Sequence, residues 1–381
     1  MRQRFHPDKH TLQLMESFRQ MTNTCIQIGS ENNASSMKRP SLLSYSELGG
    51  FHLPSAYKLC AISKAAGILA RYRKLSKRHH VKQPYCTRPT LTTCYGLKQL
   101  PGTLRLPGGF EVPLNGYTER LLAQPGVEVR SITLTQRSLS ISVRKQTQPT
   151  ACMGIMGIDR NLDNVTLADT DNQVQRHDLS KASMVKAGCR EVRSHFSRND
   201  LKIGRGIYKK YGRLEKNRVA WLLHNVSANI VLQARLKRQA IVMEDLRGIR
   251  RLYRKGNGQG PCYRARMNDW SFAEVQRQIQ YKAEWNGIPV IYVRAFGTSA
   301  KCSICGHRAL PEENRQLHCP SCGLTIDRDV NAARNILARG LRFKPVGSVN
   351  EAMVQELQRR VILKVDADQS TSKPITNEPR S

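Results

Sequence analysis

Four cysteines are set as two pairs, Cys302-Ser303-Ile304-Cys305 and Cys319-Pro320-Ser321-Cys322, with Gly306 and Gly323 directly after them. A C-x-x-C knuckle presents two thiolates from one tight turn, and two knuckles can close four thiolates tetrahedrally around zinc. The 13 residues between the pairs are slightly fewer than the roughly 15 to 20 of the commonest such pattern. Four unrelated thiols, or two disulfides, are the alternatives. Cys302, Cys305, Cys319 and Cys322 would leave no open coordination position, so a zinc ion there is structural. The other seven of the eleven cysteines (Cys25, Cys60, Cys86, Cys94, Cys152, Cys189 and Cys262) are scattered, as expected of reduced thiols.

Carboxylates form the second group. Asp159 ends a short apolar run, Gly154 to Ile158, and Glu244 ends another, Ala240 to Met243. A third acid lies in Thr325-Ile326-Asp327-Arg328-Asp329-Val330-Asn331-Ala332-Ala333-Arg334-Asn335, at Asp327 or Asp329. Singly, each reads as a surface acid. Together, two carboxylates at the carboxyl ends of neighbouring strands and one at the start of a helix supply the converging hard oxygens that a catalytic Mg²⁺ pair requires. All three sit in otherwise basic surroundings, where an idle acid would pair with Lys or Arg.

The elements that must hold these groups follow from periodicity. Residues 11–82 have helical spacing and end in a basic run containing Arg71, Arg73, Lys74, Lys77 and Arg78. Alternation over Val127–Thr135 and again over Leu139–Val143 predicts a hairpin, so the first 150 residues read as β-structure carrying a helical insertion. From Met153 strands and helices alternate. Val165–Ala168 suits a hairpin partner for the Asp159 strand, and residues 179–238 read as two helices joined near Gly204-Arg205-Gly206. Ser271 and Glu274 fit a capping box ahead of a helix that Gly287 can end, and Ile288–Val293 forms a further strand.

Composition names the partner class. The 381 residues allow two or three domains, and 62 Lys and Arg against 29 Asp and Glu leave a net charge of +33. A polyanion is the natural counterpart of such self-repulsion. Between Arg190 and Lys255 there are 18 basic residues and five acids. This stretch holds Arg205, Lys209, Lys210, Arg213, Lys216 and Arg218, on a face that either is merely solvated or contacts phosphates. No segment reaches the roughly 20 apolar residues of a membrane span, and Met1 is followed by Arg, Gln and Arg rather than an apolar signal core. The expected location is cytoplasmic, with no membrane partner.

The order Gly157-Ile158-Asp159, Met243-Glu244-Asp245-Leu246, the Cys302–Cys322 ribbon and Asp327-Arg328-Asp329-Val330-Asn331-Ala332-Ala333-Arg334-Asn335 resembles TnpB, a family encoded by insertion sequences and similar to the compact ancestors of type V CRISPR effectors. The resemblance covers residues 150–340. It implies a multidomain α/β chain: a wedge β-barrel over 1–10 and 83–150, a helical recognition insertion over 11–82, and an RNase H-like RuvC nuclease domain over 151–298 and 325–342. A zinc ribbon over 299–324 interrupts the nuclease domain, and a partly disordered tail follows over 343–381. It also implies a guide RNA, a target DNA carrying a short flanking motif, and cleavage at one Mg²⁺ site, expected to hold two ions, ligated by Asp159, Glu244 and Asp329. Asp329 is preferred to Asp327 because the family uses the acid directly before the Val-Asn-Ala-Ala run; Asp245 falls on the opposite face of its strand. Where the family usually has glycine two residues after the first aspartate, this chain has Arg160-Asn161-Leu162-Asp163. The rival activities are a catalytically silent, RNA-guided DNA-binding regulator and a DNA-strand transferase.

Overall fold

The computed structural model describes residues 1–34, 43–196 and 201–342, so the expectation of a partly disordered tail over 343–381 lies outside the described residues. The chain divides between Gln146 and Thr147 into two units.

In the first unit, β1 (Arg2–Arg4) leads into α1 (Lys9–Glu31), whose amino end is capped by Asp8 accepting from the Thr11 amide at 2.7 Å. Helix α2 (Ser55–Ser76) follows, then β2 (Thr90–Thr93), a small sheet of β3 (Lys98–Leu100), β4 (Thr103–Arg105) and β5 (Glu111–Pro113), and α3 (Gly116–Leu122). The expected hairpin is β6 (Val127–Thr135) with β7 (Ser138–Lys145). Strand pairing gives two antiparallel sheets, β1-β7-β6-β2 and β3-β4-β5, rather than one closed ring among the described residues. Phe18 and Met21 of α1 and Ile62 and Leu69 of α2 share one buried core with Leu91, Ile132 and Leu134 of the strands. These helices are thus part of the unit's core rather than a free-standing lobe. Arg71, Lys74, Lys77 and Arg78 are exposed at the end of α2, and Arg73 is half-buried with one guanidinium nitrogen 2.9 Å from Asn33 Oδ1.

The second unit is built on a five-stranded sheet. Strands β8 (Gly154–Arg160), β9 (Asn164–Asp169) and β10 (Val174–Asp178) form an antiparallel meander; α4 (Ser180–Ser194) and α5 (Leu201–Leu236) then lead to β11 (Gln239–Asp245). Helices α6 (Pro261–Asn268) and α7 (Phe272–Trp285) precede β12 (Val290–Arg294). Strand order is β10-β9-β8-β11-β12, with β8, β11 and β12 parallel. All seven residues of β8 are buried, as a strand covered on both faces requires. Met156, Ile158, Ile241 and Met243 face the helices α5 and α7; Ile155 and Val242 face the last helix, α8 (Arg328–Arg342). That helix lies so close that a Cβ at Gly157 would sit 2.5 Å from the Ala333 carbonyl oxygen, so only glycine fits there.

Two local expectations are corrected. Gly204 and Gly206 lie inside α5, and the break between α4 and α5 falls earlier, after Ser194. Each glycine costs a helix about 1 kcal/mol against alanine, which the rest of this long helix absorbs. Ser271 does occupy the N-cap of α7, but its side chain makes no capping bond; its hydroxyl accepts from Lys186 at 2.5 Å, and Glu274 pairs with Arg277 at 2.8 Å. Between β12 and α8 lie the strands of a small antiparallel sheet, β13 (Leu310–Pro311), β14 (Gln316–His318) and β15 (Thr325–Asp327).

Candidate active site and four-cysteine cluster

Asp159 and Glu244 are neighbours because β8 and β11 are parallel and in register: Met243 pairs with Ile158, so the next residue of each strand is a carboxylate. The period-two pleat turns Gly157, Asp159, Val242 and Glu244 toward α8 and turns Asp245 to the other face, where it pairs with Arg247 at 2.6 Å. Asp329, in the first turn of α8, comes to the same place from the helix side. Asp327 does a different job: its Oδ1 accepts from the Asp329 and Val330 amides at 2.9 and 3.0 Å, capping the amino end of α8.

The electrostatics of this cluster are unfavourable by themselves. Asp159, Glu244 and Asp329 are 7%, 7% and 2% exposed. Burial, and then the nearby charges of Glu244 and Asp329, push the Asp159 carboxyl up to about 7. Burial also raises Glu244. Asp327, by contrast, is held below its ordinary value although burial opposes this, because the Val330 amide and Arg176 stabilise its charge.

Fixed donors orient each acid. Asn161 Nδ2 donates to Asp159 at 2.7 Å, and Asn164 Nδ2 to Asp329 at 3.2 Å. Thr298 donates its hydroxyl to Glu244, and the fully buried Arg160 donates to the Glu244 backbone carbonyl and, at 2.6 Å, to Gln276 of α7. Arg315 pairs with Asp329, and Arg176 lies 3.7 Å from the same carboxylate. Among the described residues the three carboxylates are not drawn within 4.8 Å of one another, as the thiol cluster is. These arginine contacts compensate the charge of Asp329.

Of these residues, Asp159, Glu244 and Asp329 are the expected ones, and the fold brings them together. Arg160 and Asn161, which stand where the family pattern departs, prove to be structural partners of Glu244 and Asp159. Asn164, Arg176, Thr298 and Arg315 carry no sequence signal. Arg315 reaches the site from consecutive left-handed residues, with φ of 53° at Asn314 and 62° at Arg315.

The four cysteines converge as their spacing predicts. Their sulfurs all lie within 4.8 Å of one another, with Cys302–Cys322 at 3.7 Å and Cys305–Cys319 at 3.4 Å. Sulfurs bound about 2.3 Å from one tetrahedral zinc are separated by roughly 3.8 Å, so the donor set fits zinc in type and spacing. Beyond them, the Asn331 amide accepts from the Ser303 backbone at 2.8 Å and donates to the Lys301 carbonyl, while Asn335 donates to the carbonyls of Thr298 and Lys301. The knuckle is therefore hydrogen-bonded to the same helix that carries Asp329. On α5, Arg205, Lys209, Lys210, Arg213, Lys216 and Arg218 all lie on the amino-terminal half, and no helix of the described residues is long and apolar enough to cross a membrane.

Residues 272–336 match the family model described as Cas12f1-like, TNB domain. Over 221 residues the chain is 31% identical to a TnpB-like protein of Methanocaldococcus jannaschii, a stretch covering 56% of this chain and 78% of that one. It is 30% identical over 204 residues to a protein of Streptomyces pristinaespiralis named as an RNA-guided DNA endonuclease, about half of each chain (52% and 48%). Against the solved Cas12f1 of a complex with sgRNA and target DNA, the fold superposes with a TM-score of 0.55 at 14% identity, over 86% of this chain and 83% of that one. With most of the archaeal relative's length matched at this identity, and the mixed α/β architecture shared with Cas12f1, the chain belongs to the TnpB-like family.

Proposed function

We propose that the protein is an RNA-guided DNA endonuclease of a transposable element. A guide RNA pairs with the target, and the protein reads backbone and a short flanking motif. The sheet unit would be its RNase H-like RuvC domain, interrupted by a structural zinc ribbon on Cys302, Cys305, Cys319 and Cys322. The first unit would supply the wedge and recognition surfaces, with Arg71, Arg73, Lys74, Lys77 and Arg78 among the nucleic-acid contacts. The observation that carries this reading is the convergence of three buried acids, in which burial first and then the charges of Glu244 and Asp329 raise Asp159. Structural ion pairs relieve buried charge; here Asp159 has an amide donor but no ion-pair partner among the described residues.

Asp159, Glu244 and Asp329 would hold the catalytic Mg²⁺, expected as two ions. When bound, the metal supplies an activated water and neutralises charge on the scissile phosphate. The protein's own contribution is positional. Asn161 and Thr298 fix the rotamers of Asp159 and Glu244, and Arg160 ties the end of β11 to α7 from beneath. Arg315 and Arg176, which lie against Asp329, are cations beside the three acids that would be available to a phosphate of the substrate.

The test is co-purification with RNA followed by cleavage of a plasmid matching that guide. Cutting is expected in Mg²⁺ and lost when Ca²⁺ replaces it. RNA-bound protein that binds its target and never cuts would leave only the regulator.

A further inference from the structure

The pair α4 and α5 carries a second feature that cleavage does not use. Helix α4 sets Lys181, Met184 and Val185 at positions i, i+3 and i+4, and α5 answers with Arg218, Trp221 and Leu222 at the same spacing. Between them lies an open groove of about 550 Å³, within the range of small-ligand sites. Trp221 is 64% and Met184 69% exposed, an apolar surface left to water. Among the described residues, neither the Trp221 indole nor the Arg218 guanidinium has a hydrogen-bond partner.

Charge selects the occupant. Residues 180–236 hold thirteen Lys and Arg against three acids, and the whole chain is +33, so a second copy approaching this face meets repulsion. A polyanion meets attraction. An indole and two cations lining one groove can stack an unpaired base and meet the phosphates of the same strand. At about 100° per residue, Trp221 faces away from the helix side that carries Arg205, Lys209, Arg213 and Lys216, so it forms a separate contact.

We propose that Trp221, in the groove it lines together with Lys181 and Arg218, is a stacking site for an unpaired nucleobase of single-stranded nucleic acid. The inference rests on the reading of the protein as one that handles nucleic acid, and deepens it. Titrate the full-length protein, freed of bound RNA, with a twelve-residue oligothymidylate and with an abasic strand of equal length. Trp221→Ala is expected to weaken oligothymidylate binding about tenfold, one stacked base's worth, and to leave abasic-strand binding unchanged. Trp221→Phe should retain most of the affinity. Lys181→Ala with Arg218→Ala should weaken both strands and flatten the salt dependence. Equal oligothymidylate affinity for wild type and Trp221→Ala overturns the proposal. So does a dimer of the wild type that Trp221→Ala dissociates, since a second copy would then fill the groove. Guided cleavage is scored separately on the same variants purified with their RNA: base-dependent binding without cleavage sinks the nuclease reading and keeps the stacking site, and the converse keeps the nuclease alone.

Discussion

Replacing Asp159 by asparagine should make the metal-free protein more stable while abolishing its chemistry. In the folded chain burial and the charges of Glu244 and Asp329 raise Asp159 from 3.8 to about 7. The fold therefore prefers the neutral acid, and ionising it costs free energy that the unfolded chain does not incur. That cost is absent below about pH 3, grows by about 1.4 kcal/mol per pH unit once the unfolded aspartate is ionised, and is complete above pH 7 at roughly 4 kcal/mol. The neutral amide of the Asp159→Asn variant escapes it. The stability gain over wild type should thus be near zero at about pH 3, roughly 1.5 kcal/mol at pH 5 and roughly 4 kcal/mol at pH 8. All three tryptophans, Trp221, Trp270 and Trp285, lie in the second unit, so their fluorescence in a urea titration reports that unit alone. The titration is run without added divalent cations. A gain that is the same at pH 5 and pH 8, or none at pH 8, would refute the claim that uncompensated charge is concentrated here. Added Mg²⁺ should reverse the order by stabilising the wild type and not the variant.

Asp329→Ala should abolish guided cleavage and leave target binding nearly unchanged in a gel-shift assay. Asp327→Ala should cost about 1 kcal/mol of stability through the lost cap and still cut; the reverse pattern would mean that the wrong acid had been chosen. Elemental analysis should find about one zinc per chain, and Cys302→Ser or Cys319→Ser should lower stability before altering chemistry; zinc-free protein that folds and cuts normally would defeat the zinc assignment. Replacing Lys209, Lys210 and Arg213 together by alanine should flatten the slope of log affinity against log salt by up to about three contacts' worth, at roughly 0.9 each. An unchanged slope would make that helix face merely solvated.

The acids and thiols that the fold brings together were legible because their signals are local. Two knuckles show in their spacing, and Asp159 and Glu244 show because a buried parallel strand is an apolar run whose end is visible in the chain. What was hidden depends on tertiary approach. Thr298 and Arg315 lie 54 and 14 residues from the acids they contact, and the left-handed turn that delivers Arg315 contains no glycine. Local chemistry also misled. The glycines near residue 205 read as a helix break, yet α5 runs through them, and Ser271 with Glu274 had the letters of a capping box while Lys186 and Arg277 compete for those side chains. The extent of α1 and α2 was visible, but not that their apolar faces complete the core of the strands around them.

The geometry of α5 links the basic stretch to the carboxylates. The helix has 36 residues, about 54 Å at 1.5 Å per residue, but only from Val219 onward does it give side chains to the sheet's core, through Val219, Leu223, Ile230, Val231 and Ala234. It enters β11 within three residues of its own end, so it runs antiparallel to that strand. Its amino-terminal half therefore points toward the edge where β8 and β11 end, the edge of Asp159 and Glu244. At about 100° per residue, Arg205, Lys209, Arg213 and Lys216 fall on the same side of the helix as Leu223, Val231 and Ala234. The line that faces the sheet in one half becomes a line of cations in the other, continued past the strand ends. A helix meant only to cover the sheet would begin near residue 219; the overhang instead sets four of its cations on the line that faces the sheet further along. Strand held along it would be carried across the end of the sheet that bears the acids.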